Sequence, residues 1–210
     1  PNTEEAIQAV ATAKLIYIEL GQVEVYANWV KNLDFVDVTD AELDKATYES
    51  AEKQFIQNNT DKAITGFEKY LQQFPNGLSA IKANFYLAQS YFSKGETQKT
   101  IPYYEYVLQN ERNEYTEQAL ARLAQVLLET DNYAKAIPVL KRLEESADFP
   151  QNVTFAQSNL MKASYELENY KVAVNYAEKV LANDKVDNRI KSDAHVIIAR
   201  SAIATNDENK

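Results

Sequence analysis

The sequence has no cysteine, and that absence removes thiol nucleophiles, disulfide bonds and thiolate metal sites together. Glycine is nearly as scarce. The four residues, at 21, 66, 77 and 95, form no G-x-G-x-x-G or Walker pattern, so there is no phosphate-cradling loop. Histidine occurs once, in Ala194-His195-Val196-Ile197-Ile198-Ala199. An imidazole can serve as a base or a metal ligand. Here it lies on a helix face with no serine nucleophile motif and no second histidine, and it reads as a packing or surface residue. No apolar run approaches the roughly 20 residues needed to cross a bilayer, which argues against direct membrane insertion. Positive charge is in deficit: 22 Lys and Arg against 31 Asp and Glu leave a net charge of −9. Phosphate backbones are held by clustered cations, so this balance disfavours a nucleic-acid partner. No signal peptide is present. The chain opens on Pro1 without a Met and closes on Asn206-Asp207-Glu208-Asn209-Lys210 after a single unpaired helix. It reads as an excised fragment or a mature product.

What the sequence does hold is ordinary for a soluble folded protein, 45% hydrophobic and 25% charged. Carboxylates are plentiful, as at Glu144-Glu145 and Asp207-Glu208. Paired carboxylates can hydrolyse glycosides, but neighbours on a helix diverge by about 100°. These pairs read as solvating a polar face. No catalytic residue, cofactor or metal is expected, and the chain reads as a non-enzyme.

Its dominant feature is a repeat. One small or medium residue recurs at Lys14, Ala51, Ala88, Ala124, Met161 and Ala199, in steps of 37, 37, 36, 37 and 38. The start of the following helix recurs at Ala63-Ile64, Thr100-Ile101, Ala136-Ile137 and Ala173-Val174, in steps of 37, 36 and 37. A fixed period of this size means a stack of like units, each burying its apolar face on its neighbours.

Each period reads as helix, tight turn, helix, loop. Leu87, Ala88 and Tyr91 lie on one side of a helix, and Ile101, Tyr104, Val107 and Leu108 on one face of the next. Between them Gly95-Glu96-Thr97 breaks the chain, because Gly accepts the left-handed conformation that ends helices. The same turn recurs as Gly21-Gln22-Val23, Asn58-Asn59-Thr60, Asp131-Asn132-Tyr133 and Glu168-Asn169-Tyr170. Pro102 and Pro138 occupy matching places near the starts of their helices, where a missing N–H costs little. Pro75, supported by Gly77, ends the helix that carries Phe67, Tyr70 and Leu71. Thr39-Asp40-Ala41-Glu42 has the form of a capping box. Residues 32–38 form the longest irregular connector. About eleven helices and no strand are expected. Short loops force neighbours to be antiparallel, and a slight rotation per repeat curves the stack, with one concave face built mainly from the first helices.

These residues resemble the tetratricopeptide repeat family, whose pattern is W-x2-L-G-x2-Y in the first helix, then Ala and an aromatic in the second, then Pro. Leu87-Ala88-x2-Tyr91 with Gly95, Tyr104 and Val107 fits, as does Leu123-Ala124-x2-Leu127 with Tyr133, Ala136 and Leu140. Leu160-Met161 with Tyr170 and Ala173 fits less tightly. Ala51 with Ala63, Phe67 and Pro75 fits mainly in its second helix, and Ile198-Ala199 matches a first half. The segment around Lys14, Tyr17 and Gly21 is degenerate, with Tyr26 where a small residue belongs. The family's Trp is missing from its place in every repeat, and the period exceeds the family's usual 34. The resemblance implies an all-α, right-handed solenoid of antiparallel helix pairs across residues 1–210. Its repeats would run over 4–37 (degenerate), 40–77, 78–112, 114–149, 152–186 and 188–205 (a half repeat). The long period, and Phe74-Pro75-Asn76-Gly77 before a Tyr-rich helix, are similar to repeats of bacterial cell-envelope proteins of Bacteroides type. That similarity implies the periplasm or cell envelope of a Gram-negative bacterium.

The implied function is a non-enzymatic scaffold that binds a protein or peptide partner. The alternatives are a helical accessory segment of a larger enzyme, or a structural, self-assembling spacer whose open end favours self-association. Residues three before, one after and four after the small packing position share a helix stripe. The stripes read Tyr48-Glu52-Phe55, Phe85-Gln89-Phe92, Ala121-Gln125-Leu128 and Ser158-Lys162-Tyr165. The resemblance places them on or near the concave surface, where aromatics mixed with Glu, Gln and Lys suit a peptide. The partner-binding candidates are Tyr48, Glu52, Phe85, Gln89, Phe92, Arg122, Gln125, Lys162 and Tyr165. The alternative is that Phe55, Phe92, Leu128 and Tyr165 merely close the helix packing. Family members that bind chaperone C-termini hold a carboxylate with Lys, Asn and Arg. The corresponding surface here offers Tyr48, Glu52, Gln89, Gln118 and Arg122, so that clamp is not assembled.

Overall fold

The computed structural model describes residues 3–205. Among these residues it contains eleven α-helices and no strand. The helices are α1 (Glu4–Glu19), α2 (Val23–Val30), α3 (Asp40–Ile56), α4 (Thr60–Gln73), α5 (Ala80–Ser93), α6 (Ile101–Gln109), α7 (Thr116–Glu129), α8 (Tyr133–Ser146), α9 (Pro150–Glu166), α10 (Tyr170–Leu181) and α11 (Asn188–Ala204). A 3₁₀ turn, Thr97–Thr100, precedes α6. The chain divides into two compact units, residues 1–110 and 111–210. In each, helices pack in consecutive pairs: α1 with α2, α3 with α4 and α5 with α6 in unit 1; α7 with α8 and α9 with α10 in unit 2, where α11 adds to α9 and α10.

The tight turns are one motif used five times. Gly21, Asn58, Gly95, Asp131 and Glu168 all take positive φ, between 53° and 81°. In each turn the following residue's N–H donates five residues back: Gln22 to Tyr17, Asn59 to Gln54, Glu96 to Tyr91, Asn132 to Leu127 and Asn169 to Ser164, at 2.8–3.0 Å. This is the Schellman arrangement, which satisfies carbonyls left over at a helix end. It fixes how the second helix of each pair returns along the first.

Small residues set the helix crossings. Ala51, Ala88, Ala124 and Met161 are buried. A Cβ added at Gly66 of α4 would lie 2.9 Å from the Ala51 Cβ, so α3 and α4 touch there backbone to backbone. Lys14 is half-buried and Ala199 exposed, so the sequence periodicity holds at both ends while the burial does not. Tyr26, out of place by the repeat pattern, is buried with Val10 and Val30, beneath Tyr17 and Trp29. The Thr39 capping box forms as read, with both reciprocal bonds to Glu42.

Pro138 departs from the expectation. It lies inside α8 rather than at its start, whereas Pro102 is in the first two residues of α6. The two prolines are in register; the turn before Pro102 has tightened to 3₁₀, moving the α-helical start forward, while α8 runs as α-helix from Tyr133 past its proline.

A carboxylate, buried in unit 1 and half-buried in unit 2, anchors the entry to the next repeat in each unit. Asp44 of α3 accepts from the Tyr70 hydroxyl at 2.6 Å and from the Leu78 N–H at 2.9 Å, and the Tyr70 oxygen accepts from the Ser79 N–H at 3.1 Å. Burial and the Asp44 bond push the Tyr70 hydroxyl well above its ordinary value. Glu117 of α7, like Asp44 seven residues before its small packing residue, accepts from the N–H groups of Asp148 (2.9 Å) and Phe149 (3.1 Å) and from the Asn152 amide (2.6 Å).

Candidate functional site

In unit 2 the first helices α7 and α9 part to leave a groove of about 530 Å³. Gln118, Ala121, Arg122 and Gln125 of α7 form one wall, and Phe149, Asn152 and Phe155 the other. Arg112 and Asp148, paired at 2.6 Å, close one end. Phe149, the N-cap of α9, is 57% exposed at the rim. Its position is fixed because its N–H and that of Asp148 both bond Glu117. Burial raises the Glu117 carboxyl, but the Asn152 amide and the two backbone N–H donors outweigh it and hold it below the usual glutamate range.

The repeat register shows how the side chains at the opening differ from their counterparts between α3 and α5 and between α9 and α11. One residue after the small position of a first helix faces the residue six before the small position of the next. In unit 1 this pair is Glu52 and Lys82, in ionic contact at 2.7 Å between α3 and α5. Between α9 and α11 it is Lys162 and Asp193, at 2.6 Å. Between α7 and α9 the same two positions hold Gln125 and Phe155, which cannot pair ionically. Gln125 instead accepts from Arg122 at 3.0 Å and donates to Glu129 at 2.8 Å, along its own helix.

The sequence-derived candidates fall into three groups. Arg122 and Gln125 line the groove, as does Gln118. Glu52 and Lys162 sit on the first-helix surface in the ion pairs just described; the Lys82 ammonium also lies over the Tyr48 ring, 5.3 Å from its centroid. Of the remaining candidates, Tyr48, Phe85 and Tyr165 turn toward the second helices or along their own. Tyr48 is 4% exposed, 5.6 Å from the Tyr70 ring, with its hydroxyl donating to Glu52 at 2.8 Å. Phe85 is 3% exposed, edge-on to Tyr104 at 6.3 Å. Tyr165 is half-buried, edge-on to Tyr170 at 5.6 Å. Phe92 and Gln89 of α5 are half-buried. In α3 and α5 the position three before the small residue therefore faces the partner helix of the pair, whereas in α7 the same position, Ala121, is on the groove wall.

Phe149, Asn152, Phe155 and Arg112 were not among those candidates. Comparing the residue six before each small position, Lys82, Gln118, Phe155 and Asp193, would have marked Phe155 as the one apolar member of a polar series.

Glu144 requires a correction. The Glu144-Glu145 pair read as a solvated face, but Glu144 is half-buried among α8, α9 and α10. It accepts from Gln157 (3.1 Å), Tyr176 (3.0 Å) and Lys179 (2.8 Å). Burial raises its carboxyl, and these three donors more than reverse that, holding it low. It occupies the register position of Leu71, Leu108 and Leu181, so a polar network replaces an aliphatic contact there. Asp207-Glu208 and the tail Asn206–Lys210 lie outside the described residues. His195 is exposed on α11. Among the described residues no cluster of three or more His, Cys, Asp or Glu could hold a metal ion, and no helix is long and apolar enough to cross a membrane.

Consecutive helix pairs on a 37-residue period, joined by identical left-handed turns, define an all-helical repeat protein. The family model of the tetratricopeptide repeat-like domain matches residues 26–177, and the chain belongs to that family. Among solved structures it is similar to YrrB, described as a TPR protein with an unusual peptide-binding site. The identity is 16% over 89% of this chain and 87% of that one, with a TM-score of 0.58. It is also similar to a double mutant of MamA RS-1, at 16% identity over 81% of this chain and 92% of that one, with a TM-score of 0.58. A further MamA mutant matches at 14% identity over 80% of this chain and 91% of that one, with a TM-score of 0.54. At these identities the likeness shows the fold. Comparison with curated proteins gives no match.

Proposed function

We propose that the chain is a non-enzymatic protein-interaction scaffold that seats a peptide segment of a partner protein in the α7–α9 groove. The carrying observation is the groove itself: the inter-helix ion pair at this register is replaced by Gln125 and Phe155, and the space it would bridge is open. Its walls combine aromatic rings with amide and guanidinium donors, the mixture that suits a backbone with alternating side chains. Family membership and the fold shared with YrrB, whose description names a peptide-binding site, support the reading. The proposal extends to a location, the Gram-negative envelope, on the resemblance of the repeats alone.

Panning the purified chain against a displayed random-peptide library tests the groove. Enriched peptides should lose at least tenfold in affinity on Phe155→Ala or Gln118→Glu, with the helical signal unchanged, and should be indifferent to Lys141→Glu on α8. Peptides that respond only to Lys141→Glu would move the site to the second-helix face.

A further inference from the structure

Between α3 and α5 three positions on facing first helices form one cluster. Tyr48, three before the small residue, donates its hydroxyl to Glu52 at 2.8 Å. Glu52, one after the small residue, pairs with Lys82 of α5 at 2.7 Å. The Tyr48 ring is buried, with the Lys82 ammonium over it. Between α7 and α9 the same three positions hold Ala121, Gln125 and Phe155. A methyl stands in place of the ring, an amide in place of the acid and a ring in place of the ammonium. All three line the open groove, and Ala121 is half-buried where Tyr48 is buried.

The other junctions differ. Between α9 and α11 the first position is again small, but Ser158 is buried, its hydroxyl bonded back to the Thr154 and Phe155 carbonyls at 2.9 and 3.1 Å. There Lys162 and Asp193 bridge the two helices. Between α1 and α3 the three positions are Ala11, Leu15 and Lys45, all exposed and none aromatic. The combination of a methyl on one wall with a phenyl ring opposite belongs to the α7–α9 groove.

We propose that Ala121 sets the specificity of this groove: the peptide is held through an aromatic side chain that enters beside the Ala121 methyl and packs on Phe155. The incoming ring takes the place that Tyr48 fills from within the chain in unit 1. The inference rests on the reading of the groove as a peptide site. Rings meet favourably edge to face or offset, and Phe155, with Phe149 exposed at the rim, offers both edges and faces. A charged side chain would lose its hydration beside the same rings, and a short aliphatic one would leave part of the ring surface without contact. Gln118 and Gln125 lie three before and four after Ala121, on one side of α7. Their amides flank the notch and match the donors and acceptors of a peptide backbone on either side of the inserted ring.

The probes are peptides enriched on the purified chain from a displayed random library, resynthesised with a fluorescent label, each with a version in which its aromatic residue is replaced by alanine. The enriched peptides should share an aromatic residue, and its replacement should weaken binding about tenfold or more in fluorescence anisotropy, as for a side chain that fills a pocket. Ala121→Tyr, which restores the unit 1 residue and fills the notch, should weaken the unaltered peptides about as much. Ala121→Ser, which installs the residue that α9 has at this position, should leave their affinity within about threefold. Circular dichroism should be constant for both variants. Should Ala121→Tyr lose helicity, Ala121→Leu replaces it, and the alanine versions of the peptides decide on the unaltered chain alone. Enriched peptides that weaken on Phe155→Ala but carry no aromatic residue, or that bind Ala121→Tyr as well as the unaltered chain, overturn the inference and leave the groove reading standing. If no enriched peptide responds to Phe155→Ala, the groove reading falls and this inference with it.

Discussion

Units 1 and 2 build the same helix pair from different material. At equivalent, fully buried positions unit 1 has Phe67 and Tyr70 where unit 2 has Leu140 and Leu143. Around them unit 1 closes with rings: Phe55 stacks on Tyr86 at 4.6 Å and Tyr91 on Tyr103 at 5.9 Å. Unit 2 closes with Leu120, Leu123, Leu160 and Met161. The filling is interchangeable; what persists is the small residue at the crossing, the left-handed turn and the carboxylate that holds the next repeat's entry. Even that carboxylate adapts. The shorter Asp44 works with the Tyr70 hydroxyl, whereas the longer Glu117 reaches two backbone N–H groups and Asn152, and the place of Tyr70 is left to Leu143.

The sharpest test of this equivalence is truncation at the matched anchors. Phe67→Ala should cost about 3–5 kcal/mol and Leu140→Ala about 2–5 kcal/mol in chemical denaturation. A cost near zero at either would mean that its unit closes on other residues. Overpacking the crossings comes next: Ala88→Leu and Ala124→Leu should each lose about 1–3 kcal/mol, while Ala199→Leu, at the exposed equivalent, should stay within about 0.5 kcal/mol of wild type. If all three melt alike, the crossing register is wrong. The turns should respond in opposite directions. Gly95→Ala should destabilise by about 1 kcal/mol, and Glu168→Gly should stabilise by about the same amount, since L side chains resist positive φ.

The smallest expected effect is on pH dependence. Glu144 and Glu117 are both held below the ordinary glutamate value in the folded state. A depressed carboxylate contributes stability that is complete above its unfolded pKa, about 4.3, and is lost as pH falls through the lower folded value. The melting-temperature gap between wild type and Glu144→Gln should therefore be constant from pH 7 to about 5 and shrink below that. A gap that widens in acid would reverse the assignment.

Most of the fold was legible because its determinants are local. A left-handed turn needs Gly, Asn or Asp at one position, and a crossing needs a small residue one period later; both leave marks in a single sequence. Even Glu168, which lacks the turn chemistry, was placed by its register. The candidate site was less legible, since a helical stripe specifies which residues share a side and not what that side meets. Tyr48 and Phe85 share a stripe with Glu52 and Gln89, yet the rings turn toward α4 and α6. The groove is marked by Gln125 and Phe155 where α3–α5 and α9–α11 have an ion pair, a difference that shows only when successive first helices are compared. Glu144 was misread for the related reason that its donors, Gln157, Tyr176 and Lys179, come from two other helices.

The pairing pattern also has a kinetic consequence. The helix contacts that hold each unit join elements that are adjacent or next but one in the chain. No strand has to wait for a distant partner, so little loop-closure entropy precedes the first stabilising contacts. A chain of this kind should collapse quickly, on the fast side of the range that contact order sets. Within either unit, one helix pair can serve as the nucleus from which order spreads to the next. The helix pair that starts the process can then be shifted from one end to the other by a single core substitution, without altering the structure finally reached.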